Sequence, residues 1–366
     1  QGCICYTMTE PRLGGDVYNL DYYVNKAKDL EAMGADSICI KDMAGLIAPY
    51  DAYAIVKALK AAVKVPIHLH SHFTSGMSRT PLITGHEWAG EVIEWGANVT
   101  GFKVGDRVTG ECSVGCLRCD YCVKGWYNQC PNRTETGLLN REGGFAEYIA
   151  FPQMFLHTCN GLPCDEASFI EPTGVALYAT KLAQTCPEDY VAVMGPGPIG
   201  LFMVQTAKAY GARHVTLVGT RDDRLEVGRQ LGADLTVNVR SENLVEKVRE
   251  GTNGHMIDVV LEAVGKPAVW DDIASIVAPR ARVAMTGLFA GETCAVDFDP
   301  LVINNITILG SLGGPSCWDE AIDLHERGKV TAAPLITHRL PLSQFVDGID
   351  IMRNRTDNAI KVVLEP

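Results

Sequence analysis

Cys116, Cys119, Cys122 and Cys130 follow one another at C-x2-C-x2-C-x7-C spacing, four thiols within fifteen residues. Four thiolates that close together can wrap one tetrahedral ion, and an all-sulfur set selects zinc or an iron–sulfur centre over hard cations. The alternative, unpaired thiols or a disulfide knot, belongs to short secreted chains; this chain has 366 residues. Upstream stand Gly85-His86-Glu87 and downstream Ile170-Glu171-Pro172. An imidazole and two carboxylates suit an open metal site with nitrogen and oxygen donors. Equally, His86 and Glu87 could form a turn, and Glu171 could cap a helix.

A third constellation is Gly195-Pro196-Gly197-Pro198-Ile199-Gly200, placed after the apolar run VAVM and before GLFMVQTAKAYGA. Glycines there permit a tight turn, close approach of a pyrophosphate to the backbone and close helix-to-strand packing, while the helix N-terminus favours the anion. The reading is dinucleotide binding, against an ordinary glycine-rich turn. The next strand, HVTLVG, ends at Gly219, where an NAD-binding protein usually carries an acid for the ribose hydroxyls. Thr220 and Arg221 follow, a hydroxyl and a guanidinium suited to a 2′-phosphate. NADP is therefore preferred to NAD, unless Arg221 is simply a solvated surface residue.

The elements that must position these groups change texture along the chain. Residues 1–77 alternate β-branched runs with amphipathic helical patterns: CICYT, DLDYYVNKAKDLEAMGA, SICIKD, APYDAYAIVKALKAAV and PIHLH. This is a β-α-β-α-β rhythm. From Arg79 to about Phe155, GEVIEWGANVTGFKVGDRV and GGFAEYIAF read as short strands with glycine-rich turns, as in a small β-barrel. From about Glu171 to Gly310 the alternation returns as a doubly wound parallel sheet, followed by the helix CWDEAIDLHERGK and the strand AIKVVLEP.

Composition excludes several partner classes. The formal charge of −12 argues against nucleic acid or an anionic membrane, either of which would want a basic face. No run is apolar enough to span a bilayer, the start QGCICYTMTEPR does not read as a signal peptide, and a cytoplasmic location is expected. The thirteen cysteines then read as reduced thiols, some of them ligands. The chain opens on Gln rather than Met, which reads as cropping or processing.

From about Arg79 to Pro366 the chain resembles the zinc-dependent medium-chain dehydrogenases, within them the polyol, threonine and secondary-alcohol branch. The resemblance rests on GHEWAGEVIEWGANVTGFKVGDRV, ECSVGCLRCDYC, GGFAEY, Ile170-Glu171-Pro172, the glycines, DVVLEAVG and THRLPL. It implies a GroES-like catalytic domain over 78–164 and 311–366, and a Rossmann NAD(P)-binding domain over 165–310. It implies a structural zinc on Cys116, Cys119, Cys122 and Cys130, and a catalytic zinc on His86, Glu87 and Glu171. The cofactor would be held by Gly195, Gly197, Pro198, Ile199, Gly200, Gly219, Thr220, Arg221 and Val264. A small alcohol or polyol would bind the zinc and pass a hydride to the nicotinamide, the metal acting as Lewis acid. A homo-oligomer, dimer or tetramer, is expected. Two departures stand out. The family's first zinc ligand is a Cys some twenty-five residues before the His, followed by a Ser or Thr of the proton relay, yet no Cys lies between Cys39 and Cys112. Polyol enzymes usually carry an Arg-aromatic pair where this chain has Gly313-Gly314.

The front segment accounts for the missing thiol. CICYT, DYYVNKAKDLEAMGA, IKDMAG and PIHLHSHFTSGM resemble the carboxyltransferase barrel of the biotin-dependent enzymes. That resemblance implies a partial TIM-barrel fragment over 1–77 and a remnant metal site on Lys41, His70 and His72. H-x-H alternation points two imidazoles to one face of a strand, as a metal site needs. Three of eight β/α units cannot close a barrel, so the chain reads as a chimera joined to an N-terminally truncated, incomplete GroES-like β-barrel. The expected function is zinc-dependent alcohol oxidation, impaired by the lost ligand. The alternatives are a catalytically silent, zinc-stabilised NADP-binding protein and a biotin-dependent carboxyltransferase fragment.

Overall fold

In the computed structural model, which describes residues 1–6, 17–42, 49–71 and 83–366, the chain divides into two units, Gln1–Leu82 and Ile83–Pro366. The front unit orders its elements as β1 (Gly2–Cys5), α1 (Leu20–Ala32), β2 (Ile38–Asp42), α2 (Pro49–Ala62) and β3 (Ile67–Ser71). The strands pair in parallel in the order β1-β2-β3. Alternation does this work: Ile4, Ile38 and Ile40 pack with Tyr23, Ala27, Ile55 and Leu59 of the helices, while Cys3 and Cys5 stay exposed. The side chain of Asn19 caps α1, accepting from the Tyr22 amide at 3.0 Å. The expected β-α-β-α-β order is present as an open three-stranded sheet, and no barrel closes among the described residues. Lys41 and His70 are register partners on β2 and β3, while His72 lies outside the described residues.

The second unit begins with short elements: β4 (Ala89–Glu91), β5 (Arg107–Gly110), β6 (Ser113–Val114), α3 (Asp120–Val123), β7 (Thr134–Thr136), β8 (Asn140–Arg141) and β9 (Leu156–Thr158). They form two three-stranded sheets, β4-β5-β9 and β6-β7-β8. One expectation fails here. GGFAEYIAF carries the alternation of a strand, but residues 143–151 form none. A strand needs a partner for its backbone groups, and no described strand lies in register beside this segment.

Two helices, α4 (Cys164–Ala167) and α5 (Ile170–Leu182), lead into the large sheet. It is built from β10 (Tyr190–Met194), α6 (Pro198–Ala209), β11 (His214–Gly219), α7 (Asp222–Gln230), β12 (Leu235–Asn238), α8 (Leu244–Gly251), β13 (Ile257–Glu262), α9 (Val269–Ile276), β14 (Val277–Met285), α10 (Phe298–Ile303) and β15 (Thr307–Gly310). The six strands are all parallel, in the order β12-β11-β10-β13-β14-β15. Successive residues of a strand face opposite sides. Val191 and Val193 therefore enter one core with α5 and α6, and Ala192 and Met194 enter another with α8 and α9. The doubly wound sheet is as expected, and helices over α8 and α9 join the two that the sequence pattern marks between its strands.

The chain closes with α11 (Trp318–Glu326), β16 (Ile336–Pro341), α12 (Phe345–Asn354) and β17 (Lys361–Glu365). Trp318, Ala321 and Ile322 of α11 pack on Ile170 and Leu177 of α5, and β16 pairs in parallel with β17. No helix of the described residues is long and apolar enough to cross a membrane.

Candidate active site and metal centres

The sulfurs of Cys116, Cys119, Cys122 and Cys130 all lie within 4.8 Å of one another, and Cys119 Sγ is 3.7 Å from Cys130 Sγ. Sulfurs at about 2.3 Å from a tetrahedral zinc stand about 3.8 Å apart, so this spacing is that of a metal cage rather than of a bonded pair. Local geometry builds it. Leu117 turns with φ 59, Cys119 caps α3, and a Cβ on Gly115 would lie 2.8 Å from Cys122 Sγ. The amides of Arg118 and then Cys119 draw the Cys116 thiol down to about 6, while burial pushes Cys122 up to about 12. The lobe is moored by Tyr127, whose hydroxyl donates to Glu111 Oε2 at 2.6 Å and accepts from the Ser316 amide at 2.6 Å. Asn128 Nδ2 donates to Leu312 O at 2.8 Å.

His86 and Glu87 arrive from the loop before β4, and Glu171 from the second position of α5; their ligand atoms also fall within 4.8 Å of one another. The sequence left turn, cap and ligand open for these residues, and tertiary packing brings all three to one point. Burial lowers the His86 pKa, which favours the neutral imidazole with a free lone pair. Glu171 is 6% exposed. Burial first, then the charge of Glu87, pushes its carboxyl up to about 8. Among the described residues, the cation in reach is Lys361 of β17, which pairs with Glu87 and stands 5.8 Å from the centroid of the Phe169 ring. Cys112 also faces the site. Burial, then Glu171, Glu135 and Glu87, raises its thiol far above the usual range. A cleft of about 1250 Å³ opens beside the trio, lined by Glu87, Trp88, Phe145, Phe345 and Lys361 among others.

The glycine turn between β10 and α6 is sterically specified. Gly195 has φ 103, and a Cβ there would lie 2.8 Å from Val264 Cγ2. A Cβ on Gly200 would fall 1.8 Å from Gly195 O, whereas Gly197 has nothing within 4 Å of that position. Its backbone therefore faces open space, where an anion can approach the N-terminus of α6. At Gly219 a Cβ would lie 2.5 Å from Pro196 Cδ, so the acid usual there has no room. Arg221 holds Asp223 in a two-point contact, Nη2 to Oδ2 at 2.6 Å and Nε to Oδ1 at 3.2 Å. Thr220 is exposed beside it.

Comparison with known proteins settles the family. Residues 198–327 match the zinc-binding dehydrogenase family, and residues 34–161 match the alcohol dehydrogenase GroES-like domain. Sorbitol dehydrogenase of Halalkalibacterium halodurans is 34% identical over 291 residues, 78% of this chain and 84% of that protein. The chain belongs to the zinc-dependent medium-chain dehydrogenases. L-Threonine 3-dehydrogenase of Pseudoalteromonas translucida is 34% identical over 304 residues, 81% of this chain and 88% of the relative. Alcohol dehydrogenase TADH from Thermus sp. ATN1 superposes with a TM-score of 0.74 at 28% identity, covering 80% of this chain and 87% of the other. The GroES-like match starts at residue 34, upstream of the boundary at 78 read from texture, and spans the division between the two units.

In this member of the family the donor chemistry fits zinc at both clusters. Four thiols close one coordination sphere, and an imidazole with two carboxylates leaves a position free. The position twenty-five residues before His86 is Ala61, inside α2, and no further His, Cys, Asp or Glu among the described residues joins the trio. Lys361 and Cys112 carried no signal in the sequence as parts of this site. Lys361 lies 274 residues from Glu87, and Cys112, though inside ECSVGCLRCDYC, lies outside the four-cysteine spacing.

Two measurements follow from these clusters. Cys119→Ser is expected to lower bound zinc and thermal stability together, since a closed thiolate site contributes on the order of 10 kcal/mol of folding free energy; unchanged zinc and melting temperature would mean that the cluster holds no metal. The second concerns Glu171, whose carboxyl is raised from 4.5 to about 8 in the folded chain. A raised carboxyl stabilises the fold fully below the unfolded value, and that stability is lost as pH rises through the folded one. The metal-free protein should therefore show a falling urea midpoint from 4.5 to about 8, and Glu171→Gln should flatten the slope. Parallel slopes in both proteins would remove Glu171 as the source.

Proposed function

We propose that this chain is an NAD(P)-linked dehydrogenase of a secondary alcohol or polyol, with catalytic zinc on His86, Glu87 and Glu171 and structural zinc on the four cysteines. The observation that carries the reading is the convergence of His86, Glu87 and Glu171, drawn from segments far apart in the chain, beside an open cleft. Zinc held there supplies Lewis acidity, and the dinucleotide accepts the hydride. His86 offers its lone pair because burial keeps it neutral. Lys361 balances Glu87, leaving Glu171 as the carboxylate whose charge the metal must meet. Trp88 and Phe145 give the cleft apolar walls.

Gly195, Gly197, Pro198, Ile199 and Gly200 cradle the pyrophosphate in this reading, with Val264 and Gly219 as walls and Thr220 and Arg221 on a 2′-phosphate. The filled space at Gly219 and the guanidinium beside it support NADP over NAD. The domain scheme follows: a catalytic domain over 78–164 and 311–366, and a cofactor domain over 165–310. The front unit has a parallel β/α order, but the GroES-like match from residue 34 runs into it, so neither a carboxyltransferase fragment nor a chimera is part of the reading. Self-association is assigned to the edge strand β15, next to Phe298, Val302 and Ile303, which are 68, 73 and 75% exposed. An unpaired edge with apolar neighbours is a pairing surface. Sedimentation should give a multiple of the chain mass, and a monomer would reject this assignment.

A second reading is favoured by one feature. The trio has three donors, and one of them is already engaged by Lys361. With the family's first thiolate absent, zinc at the trio would be sub-stoichiometric and the chain a cofactor binder with little turnover. Zinc analysis, NADP-linked oxidation of secondary alcohols and a cofactor titration separate the two. Two zinc per chain with turnover supports the dehydrogenase; one zinc with tight NADP binding and no turnover supports the silent binder. In either case Arg221→Ala should erase most of the preference for NADP(H), about 1.5–3 kcal/mol or one to two decades in affinity. Equal affinity of the parent chain for NADP(H) and NAD(H) would sink the assignment of Arg221.

A further inference from the structure

Glu262 closes β13 with no exposed surface at all, and no cation neutralises it among the described residues. Its carboxylate is held instead by backbone amides. Oε1 accepts from Val264 at 2.6 Å and Gly265 at 2.7 Å, and Oε2 accepts from Gly287 at 3.1 Å. One side chain thus bridges the loop after β13 to the loop after β14. The loops are packed backbone to backbone: a Cβ on Gly287 would lie 2.2 Å from the Gly265 nitrogen, and one on Gly265 would lie 2.7 Å from Leu288 O. Val264, 42% exposed, then rests on Gly195 of the phosphate turn. β13 neighbours β10 in the sheet, the point where strand order reverses and where ligands of such sheets bind beyond the carboxyl ends of the strands.

We propose that Glu262 is a positioning residue for the dinucleotide: it locks the Val264-Gly265 and Gly287 loops into one platform on the side of the crevice opposite Arg221. The inference rests on the reading of that crevice as a nicotinamide dinucleotide site. Burying a carboxylate is costly unless several donors hold it, and three amides aimed at one side chain leave both loops little freedom. A glutamine has the same shape, but its NH2 cannot accept from an amide, so one loop must lose its anchor.

The experiment uses the full chain with Glu262→Gln and Glu262→Asp, the latter keeping the charge but falling short of both loops. Amide hydrogen exchange on the cofactor-free protein and a fluorescence titration with NADPH are read together, with zinc content as the control for an intact fold. Both variants are expected to speed exchange at Val264, Gly265 and Gly287 and to weaken NADPH binding about tenfold, the loss of one charge-assisted contact, with thiolate-bound zinc unchanged. Faster exchange with unaltered NADPH affinity, or unaltered exchange, would overturn the role of Glu262. Should the parent chain bind no nicotinamide dinucleotide, the crevice reading itself would fall, and Glu262 as its positioning residue with it. If Glu262→Gln does not fold, Glu262→Asp decides alone.

Discussion

A carboxylate buried at the start of a helix, facing a second carboxylate that a lysine already engages, cannot be stable without a further cation or a bound proton. Glu171 is in that position. The first turn of α5 favours an anion there, but by less than burial and Glu87 oppose it. The site is therefore built around a charge deficit, and Lys361 relieves it only in part. Burial, working against the neighbouring carboxylates, keeps the His86 imidazole neutral, so the shortage of positive charge is one that a divalent ion fits.

The same helix ties the deficit to the cofactor crevice. Ala176 and Ala179 of α5 lie in the core that holds Leu201, Phe202 and Val204 of α6, while Ile170 and Leu177 pack with α11. α5 thus has one end in the metal cluster and its flank on the helix whose N-terminus faces the phosphate turn. Small side chains at this contact let two helices approach closely. The distance from the metal cluster to the glycine turn is consequently set by a packed interior rather than by a loop.

The cysteine lobe is moored by polar bonds. Glu111 receives Tyr127, and His157 bridges Glu111 and Asp319 at 3.0 and 2.7 Å. Such a network leaves few buried polar groups unpaired, and truncating one member exposes the rest to desolvation cost. A small lobe with a core of little more than Val114, Tyr127 and Phe155 has too few apolar contacts to fold alone, and four thiols around one ion replace what it lacks.

The order of cysteines, His-Glu pair and glycine turn was enough to point to the dehydrogenase family, the parallel sheet and the four-cysteine cluster, because each depends on spacing within a short segment or on alternation of period two. GGFAEYIAF shows the limit: its alternation promised a strand, and pairing partners decided otherwise. Whether His86, Glu87 and Glu171 were turn, cap or ligands could not be read locally, since their meeting depends on how α5 packs. Lys361 against Glu87, Cys112 facing the same carboxylates, and the Glu262 anchor join residues whose proximity has no period and no motif. The exclusion of an acid at Gly219 belongs to both levels: the glycine is legible in the chain, but the ring of Pro196 that fills its space is a fact of tertiary contact. Sequence determines what each segment can become, and only the folded chain decides which charges and surfaces must share one buried volume.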